Sequence, residues 1–212
     1  MKARLTESAP TSTLDGMLRF KSLPVILGVL TAVLWASPSD ASIVQALELD
    51  ELVEMSDRIF LGRVAYSESF EYPNGYIGTW HRIVVERDIR GTLSGESEVI
   101  IETLGGDIGD IGMQVAGEPQ FTIGERVLVF ASARGSFQAV RAVGMGQGVM
   151  RVRSEAGVER VRQTRAGMVL MRRNAQGLLK RAPGALPREE RLDTFLSRVK
   201  SLVDRKAGAS DD

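Results

Sequence analysis

Apolar and polar positions change rhythm several times along the chain. Leu47, Leu49, Leu52, Val53 and Met55 form one stripe between Leu47 and Ser56, which predicts a short helix packed on a single side. The period then drops to two. Ile59 to Phe70 and Ile77 to Ile89 flank Pro73-Asn74-Gly75, a turn signal, and predict a long β-hairpin closed by Gly91. Ser97 to Leu104, Arg126 to Ala133 and Phe137 to Val143 read as three more strands, the last two joined through Arg134-Gly135. Alternation puts Ile77, Thr79, His81, Ile83 and Val85 on one face of the second hairpin arm and Trp80 with Arg82 on the other. Mostly antiparallel strands, with one pair long enough to serve both sides, predict a five-stranded OB-like barrel over residues 42–145.

Residues 146–206 predict an extension to that barrel. Val149 to Arg153 and Val158 to Arg162 flank Ser154-Glu155-Ala156-Gly157. A four-residue loop there sets Arg153 opposite Val158 and Arg151 opposite Arg160, so Arg151, Arg153, Arg160 and Arg162 share one face of the ribbon. Val169 to Met171 and Leu178 to Lys180 read as a further hairpin about Asn174 to Gly177. Pro183 and Pro187 break the chain before Glu189 to Val203, where Leu192, Phe195, Leu196, Val199, Leu202 and Val203 recur at helical spacing. This amphipathic helix is expected to cover an open end or edge of the sheet, and residues 207–212 to form a frayed tail. The fold class is thus mainly β: an OB-like barrel with a short N-terminal helix, an added hairpin region and a C-terminal helix.

Composition narrows the chemistry. With 43% hydrophobic and 25% charged residues in 212, one globular domain is the expectation. There is no cysteine and a single histidine, His81, which excludes thiol nucleophiles, disulfide frameworks and Cys/His zinc sites. Leu23 to Ala36 is an uncharged apolar run preceded by Arg19 and Lys21 and followed by Ser39-Asp40-Ala41, so residues 1–41 read as a signal peptide cut before Ser42, with Met17 an alternative start. The expected location is the bacterial periplasm or the medium, with no membrane span once that segment is removed. Charge is unevenly spread: residues 42–133 hold 6 basic and 16 acidic residues, whereas 134–212 hold 17 basic and 8 acidic. Such polarity suits self-complementary packing or head-to-tail association, with a polyanion or envelope surface on the arginine face as the alternative.

Two glycine-rich segments invite functional readings. In Gly105 to Phe121, the residues Gly105, Gly106, Asp107, Gly109, Asp110, Gly112 and Met113 form a candidate binding loop, because dense glycine between strands lets the backbone take positive dihedrals or approach a partner closely. Asp107 and Asp110 are too few oxygens for a calcium cage, and the segment does not keep the spacing of calcium-binding nonapeptides. Gly144 to Gly148 lacks a following Lys-Ser/Thr and enters a strand, so it reads as a linker and not as a phosphate loop. His81 reads as a half-buried sheet histidine with no serine or acid tied to it by a motif, and Trp80 beside Arg82 as an exposed aromatic contact.

The succession of Met55-Ser56-Asp57, Gly62-Arg63-Val64, Thr79, Val85-Glu86, Arg90-Gly91, Gly105-Gly106, Gly109, Gly112-Met113, Val115, Gly117, Pro119, Phe121 and Gly124-Glu125 before Val127-Leu128-Val129-Phe130 resembles an uncharacterised family of secreted bacterial proteins. The resemblance spans residue 46 to about residue 150. It implies an OB-like barrel similar in outline to the inhibitory domain of tissue inhibitors of metalloproteinases. The chain departs from those inhibitors in lacking the N-terminal cysteine whose amine would chelate zinc, so their mechanism does not transfer. The leading expectation is a non-enzymatic exported protein, without cofactor, that binds another exported protein, for example a protease, through Gly105 to Phe121. A metal-dependent enzyme using Asp107, Asp110 and His81 is the runner-up. Nucleic acid is not expected, because the barrel half is acidic and only 6% of residues are aromatic.

Overall fold

The structure, a computed structural model, describes residues 42–91, 98–136, 138–164, 167–182 and 189–209. The export segment expected over residues 1–41 lies outside them. Thirteen strands and two helices follow in the order β1 (Ile43–Gln45), α1 (Leu49–Glu54), β2 (Arg58–Glu71), β3 (Ile77–Arg90), β4 (Glu98–Leu104), β5 (Gly106–Ile108), β6 (Ile111–Met113), β7 (Arg126–Ser132), β8 (Arg141–Ala142), β9 (Val149–Glu155), β10 (Val158–Gln163), β11 (Val169–Arg173), β12 (Leu179–Arg181), β13 (Glu190–Arg191) and α2 (Leu192–Ala209) among the described residues. The fold is mainly β with a C-terminal helix, as expected.

The main sheet follows the open path β13-β10-β9-β7-β2-β3-β4, with β8 paired to β7 beside it. Its spine is the β2–β3 hairpin. Register shifts leave Ile89 and Glu86 of β3 and Ala65 of β2 as extra residues, which bend the hairpin where β2 pairs with β7 over its first half as well as with β3. Gly62 is required there: a Cβ on it would stand 2.5 Å from the Val84 carbonyl oxygen. The expected strand from Phe137 to Val143 shortens to β8. Before it, Val140 makes an isolated parallel bridge to Ile101, in which Glu102 N donates to Val140 O at 2.8 Å and Val140 N to Ile100 O at 2.9 Å. A Cβ at Gly135 would stand 2.3 Å from Ala139 O, so the turn before β8 requires glycine there.

Each face of this sheet has its own core. Ile59, Leu61, Leu128, Phe130, Met150, Val152 and Val161 pack against Leu52 and Val53 of α1 and Phe195 and Val199 of α2. On the opposite face lie Phe60, Val64, Ile83, Val99, Ile101, Val127, Val129, Val140 and Val149. The apolar stripe of α2 is the one read from periodicity, but the helix lies on a sheet face and not on an end or edge. It also begins later than expected, because Glu190 and Arg191 first pair with β10. A fully buried side chain such as Phe195 contributes about 2 kcal/mol relative to exposure.

A second sheet, β1-β11-β12, places β1 parallel to β11 with Ile43 opposite Val169. The segment read as a linker holds it in place: Gly144 to Gly148 folds as a buried 3₁₀ turn, and the Gln147 side chain accepts from Leu47 N at 3.0 Å and donates to Gln45 O at 2.9 Å. The linker reading is corrected on that ground.

Candidate functional site at the polar end of the sheet

The distal halves of β2, β3 and β4 carry polar residues on both faces. On the inner face, Ser67 pairs with His81 and Ser69 with Thr79, while Thr79 also faces Thr103. Ser67 Oγ stands 2.8 Å from His81 Nδ1, and His81 Nε2 stands 3.0 Å from Thr103 Oγ1. The imidazole also meets Phe121, ring centroid to ring centroid 4.6 Å. His81 is 6% exposed, so the half-buried reading is corrected, and a serine does face it. Burial lowers its pKa to about 4. A neutral imidazole has one donor and one acceptor nitrogen, and two hydroxyls satisfy both. The row resembles a nucleophile and its base only superficially. The second nitrogen meets a threonine hydroxyl where an orienting carboxylate would serve catalysis, and an imidazole of so low a pKa is a weak base.

The outer face holds a carboxylate. Glu102 of β4 is 4% exposed and accepts from Tyr72 Oη at 2.7 Å, Trp80 Nε1 at 3.4 Å, and both the backbone N–H, at 3.1 Å, and the hydroxyl of Ser136. Arg141 Nε of β8 lies 3.4 Å away. Burial alone would raise the carboxyl, but the bonds from Ser136, Tyr72 and Trp80 outweigh it and hold Glu102 below its ordinary value. Burial, then Glu102 itself, pushes the Tyr72 phenol up to about 12. Burial likewise raises the carboxyl of Glu118, which the Arg141 charge opposes. Trp80 stacks on Phe70 with centroids 4.2 Å apart and the planes at 26°. Trp80 is therefore a half-buried member of this cluster, and the exposed-contact reading is corrected. Arg82 is exposed, 3.5 Å from Glu98, with its guanidinium over the Tyr66 ring.

Next to these clusters lies the glycine segment, in which residues 106–113 form a hairpin while 114–121 follow outside any strand, so the loop reading is corrected for the first part alone. β5 and β6 pair Gly106 with Met113, Asp107 with Gly112 and Ile108 with Ile111, turning through Gly109 and Asp110. Its base is pinned: Thr79 Oγ1 donates to Gly105 O at 2.6 Å, and Asp107 N donates to Ser69 Oγ at 3.3 Å. Gly106 must be glycine, since a Cβ would fall 2.3 Å from Thr79 Oγ1 and 2.4 Å from Ser69 Oγ. Asp107 and Asp110 are exposed, while His81 is turned inward among its hydroxyl partners. No group of three or more His, Asp or Glu side chains among the described residues is placed to hold a metal ion. At the tip, Ile111 is 70% and Ile108 37% exposed, directly opposite each other.

The arginine ribbon is elsewhere, on β9 and β10. Its turn has two residues, Ala156 and Gly157, at φ 49° and 77°, so Arg153 faces Arg160 and Arg151 faces Arg162. The expected register is therefore corrected by two residues, and the common face survives because that shift preserves alternation. Glu125 lies 3.2 Å from Arg151 and Glu189 3.7 Å from Arg160, while Arg153 and Arg162 form no ion pair among the described residues.

Sequence reading missed Ser67, Tyr72, Glu102, Thr103, Ser136 and Arg141. Strand register outward from Asn74-Gly75 could have found Ser67; nothing local marks the others. Comparison of the chain with protein-family models and with curated proteins returned no match.

Proposed function

We propose that the chain is an exported, non-enzymatic bacterial protein that binds another exported protein, a protease being one such partner, through the Gly105 to Phe121 segment. The observation that carries this reading is the exposed Ile108 and Ile111 pair, held at the tip of a hairpin whose base is pinned by Thr79 and Ser69. An anchored apolar tip flanked by Asp107 and Asp110 suits a preformed protein contact, because little ordering is left to be lost on binding. The scaffold is an OB-like five-stranded barrel on this reading. The order β7-β2-β3-β4 supports it, as do the pairing of β8 with β7 and the parallel bridge of Val140 to Ile101.

A photo-crosslinking side chain at Ile111 tests the contact in cells that export the protein. A covalent adduct is expected from Ile111 and not from Ile123, which is 61% exposed outside the hairpin. Equal yields from both positions, or none, would remove the proposal. N-terminal sequencing of the recovered chain tests export independently, with Ser42 expected first.

A further inference from the structure

The β11–β12 hairpin combines features that neither the glycine hairpin nor the arginine ribbon has. Its turn, Asn174 to Gly177, is followed by Leu178 and Leu179, which are 63% and 55% exposed. Directly behind them come cations from both strands. Arg173 pairs with Leu179, Arg172 with Lys180 and Met171 with Arg181. Arg172 and Lys180 therefore share one face of the ribbon and Arg173 and Arg181 the other, with Arg173 level with Leu179 and the rest one or two residues behind it. Between Glu159 and Glu189 the chain has eight basic residues and no acidic one.

The nearby acids are already committed. Glu48 and Glu51 both bond Arg172, which fastens the hairpin to α1. Arg173 donates to Gly177 O at 2.8 Å and stiffens the turn. Lys180 and Arg181 are exposed and form no ion pair among the described residues. A concavity of about 320 Å³ is lined by Arg172, Arg173, Lys180 and Arg181 together with Glu48, Asn174 and Ala182, and the Glu48 carboxylate there is the one already bonded to Arg172.

We propose that this hairpin docks tip-first onto a bilayer bearing anionic phospholipids. Leu178 and Leu179 enter the boundary of headgroups and acyl chains, and Arg173, level with Leu179, and Lys180 and Arg181 behind it meet lipid phosphates, while Arg172 stays with Glu48 and Glu51. The dimensions agree: a strand rises about 3.3 Å per residue, so Lys180 and Arg181 stand roughly 3 to 7 Å above Leu179, within the depth at which interfacial segments exchange apolar for charged contacts. Charge complementarity selects the occupant. A neutral protein groove would accept the leucines but leave a collar of like charges facing one another, whereas phosphates neutralise it.

The absence of cysteine allows a local test in the full chain, independent of the apolar run at Leu23 to Ala36. An environment-sensitive fluorophore is attached through Leu178→Cys or, as a control on exposed β2, through Glu68→Cys. Vesicles of phosphatidylglycerol and phosphatidylcholine are expected to shift the emission to the blue only for the label at 178, pure phosphatidylcholine to do so weakly, and high salt to reverse the shift. Arg173→Glu/Arg181→Glu, with the same label, is expected to weaken partitioning by at least about fivefold per cation removed. Three results would each overturn the proposal: no shift at 178 on anionic vesicles, equal shifts at both positions, or a shift caused only by a soluble protein.

Discussion

His81 and Glu102 occupy neighbouring strands on opposite faces of one sheet, both nearly inaccessible, yet they end in opposite charge states. His81 meets two hydroxyls and an aromatic ring and stays neutral. Glu102 meets three side-chain donors, a backbone amide and a guanidinium, and stays charged. Desolvation opposes charge at both positions. Both groups are lowered, and what differs is the supply of donors, so whether the buried group is charged is set by the partners that each face recruits.

Removing the charge breaks the contrast most severely. Glu102→Ala leaves Tyr72, Ser136 and Arg141 facing an empty site and is expected to cost about 3 kcal/mol in urea unfolding. Glu102→Gln, which keeps the volume and one acceptor, should cost less. A loss below about 1 kcal/mol for the alanine variant would mean that the carboxylate is solvated in the folded protein.

Acid titration separates the two groups. The unfolded chain protonates His81 below pH 6.5 and the folded chain only near 4, so stability falls as pH drops through that window, by up to about 3 kcal/mol. His81→Gln should flatten that part of the profile. Glu102 is lowered from an ordinary 4.5, so its contribution is complete above that pH and is lost on further acidification. Urea unfolding midpoints between pH 7 and 3 check both. A flat profile down to pH 4.5 in the parent chain would show His81 to be wetter than its contacts imply.

Smaller effects are expected at the edges of each cluster. Ser67→Ala should cost about 1 kcal/mol by leaving a buried imidazole nitrogen without a partner. Trp80→Phe, which loses a long hydrogen bond but keeps a ring on Phe70, should cost about 1 kcal/mol or less by the same measurement.

Much of the β scaffold was legible because alternation and turn chemistry are local. Pro73-Asn74-Gly75 marks the spine hairpin, and the stripe from Leu192 to Val203 marks the helix that packs on the sheet. The arginine ribbon slipped by two because Ser154 and Glu155 look like loop residues. Only the positive φ of Ala156 and Gly157 makes them strand. The polar end was hidden for a different reason. Tyr72, Glu102, Ser136 and Arg141 lie 30 or more residues apart in part and converge only when β8 folds back on β7. Ser67 was within reach, because pairing outward from Asn74-Gly75 is regular as far as Ser67 and His81 and the bulges begin only beyond them.

The Gln147 side chain reaches residues separated from it by 100 and 102 positions, and β1 pairs with a strand more than a hundred residues later. Contacts of such separation close late, because the loop entropy must be met before they return anything. The first strand among the described residues is therefore expected to be seated late. Until residue 171 has emerged, β1 lacks its partner strand, and Val44 and the adjoining Ala46 lack the cover of Met168 and Leu170. On the proposed export, the leading segment has no partner strand until residue 171 has followed it.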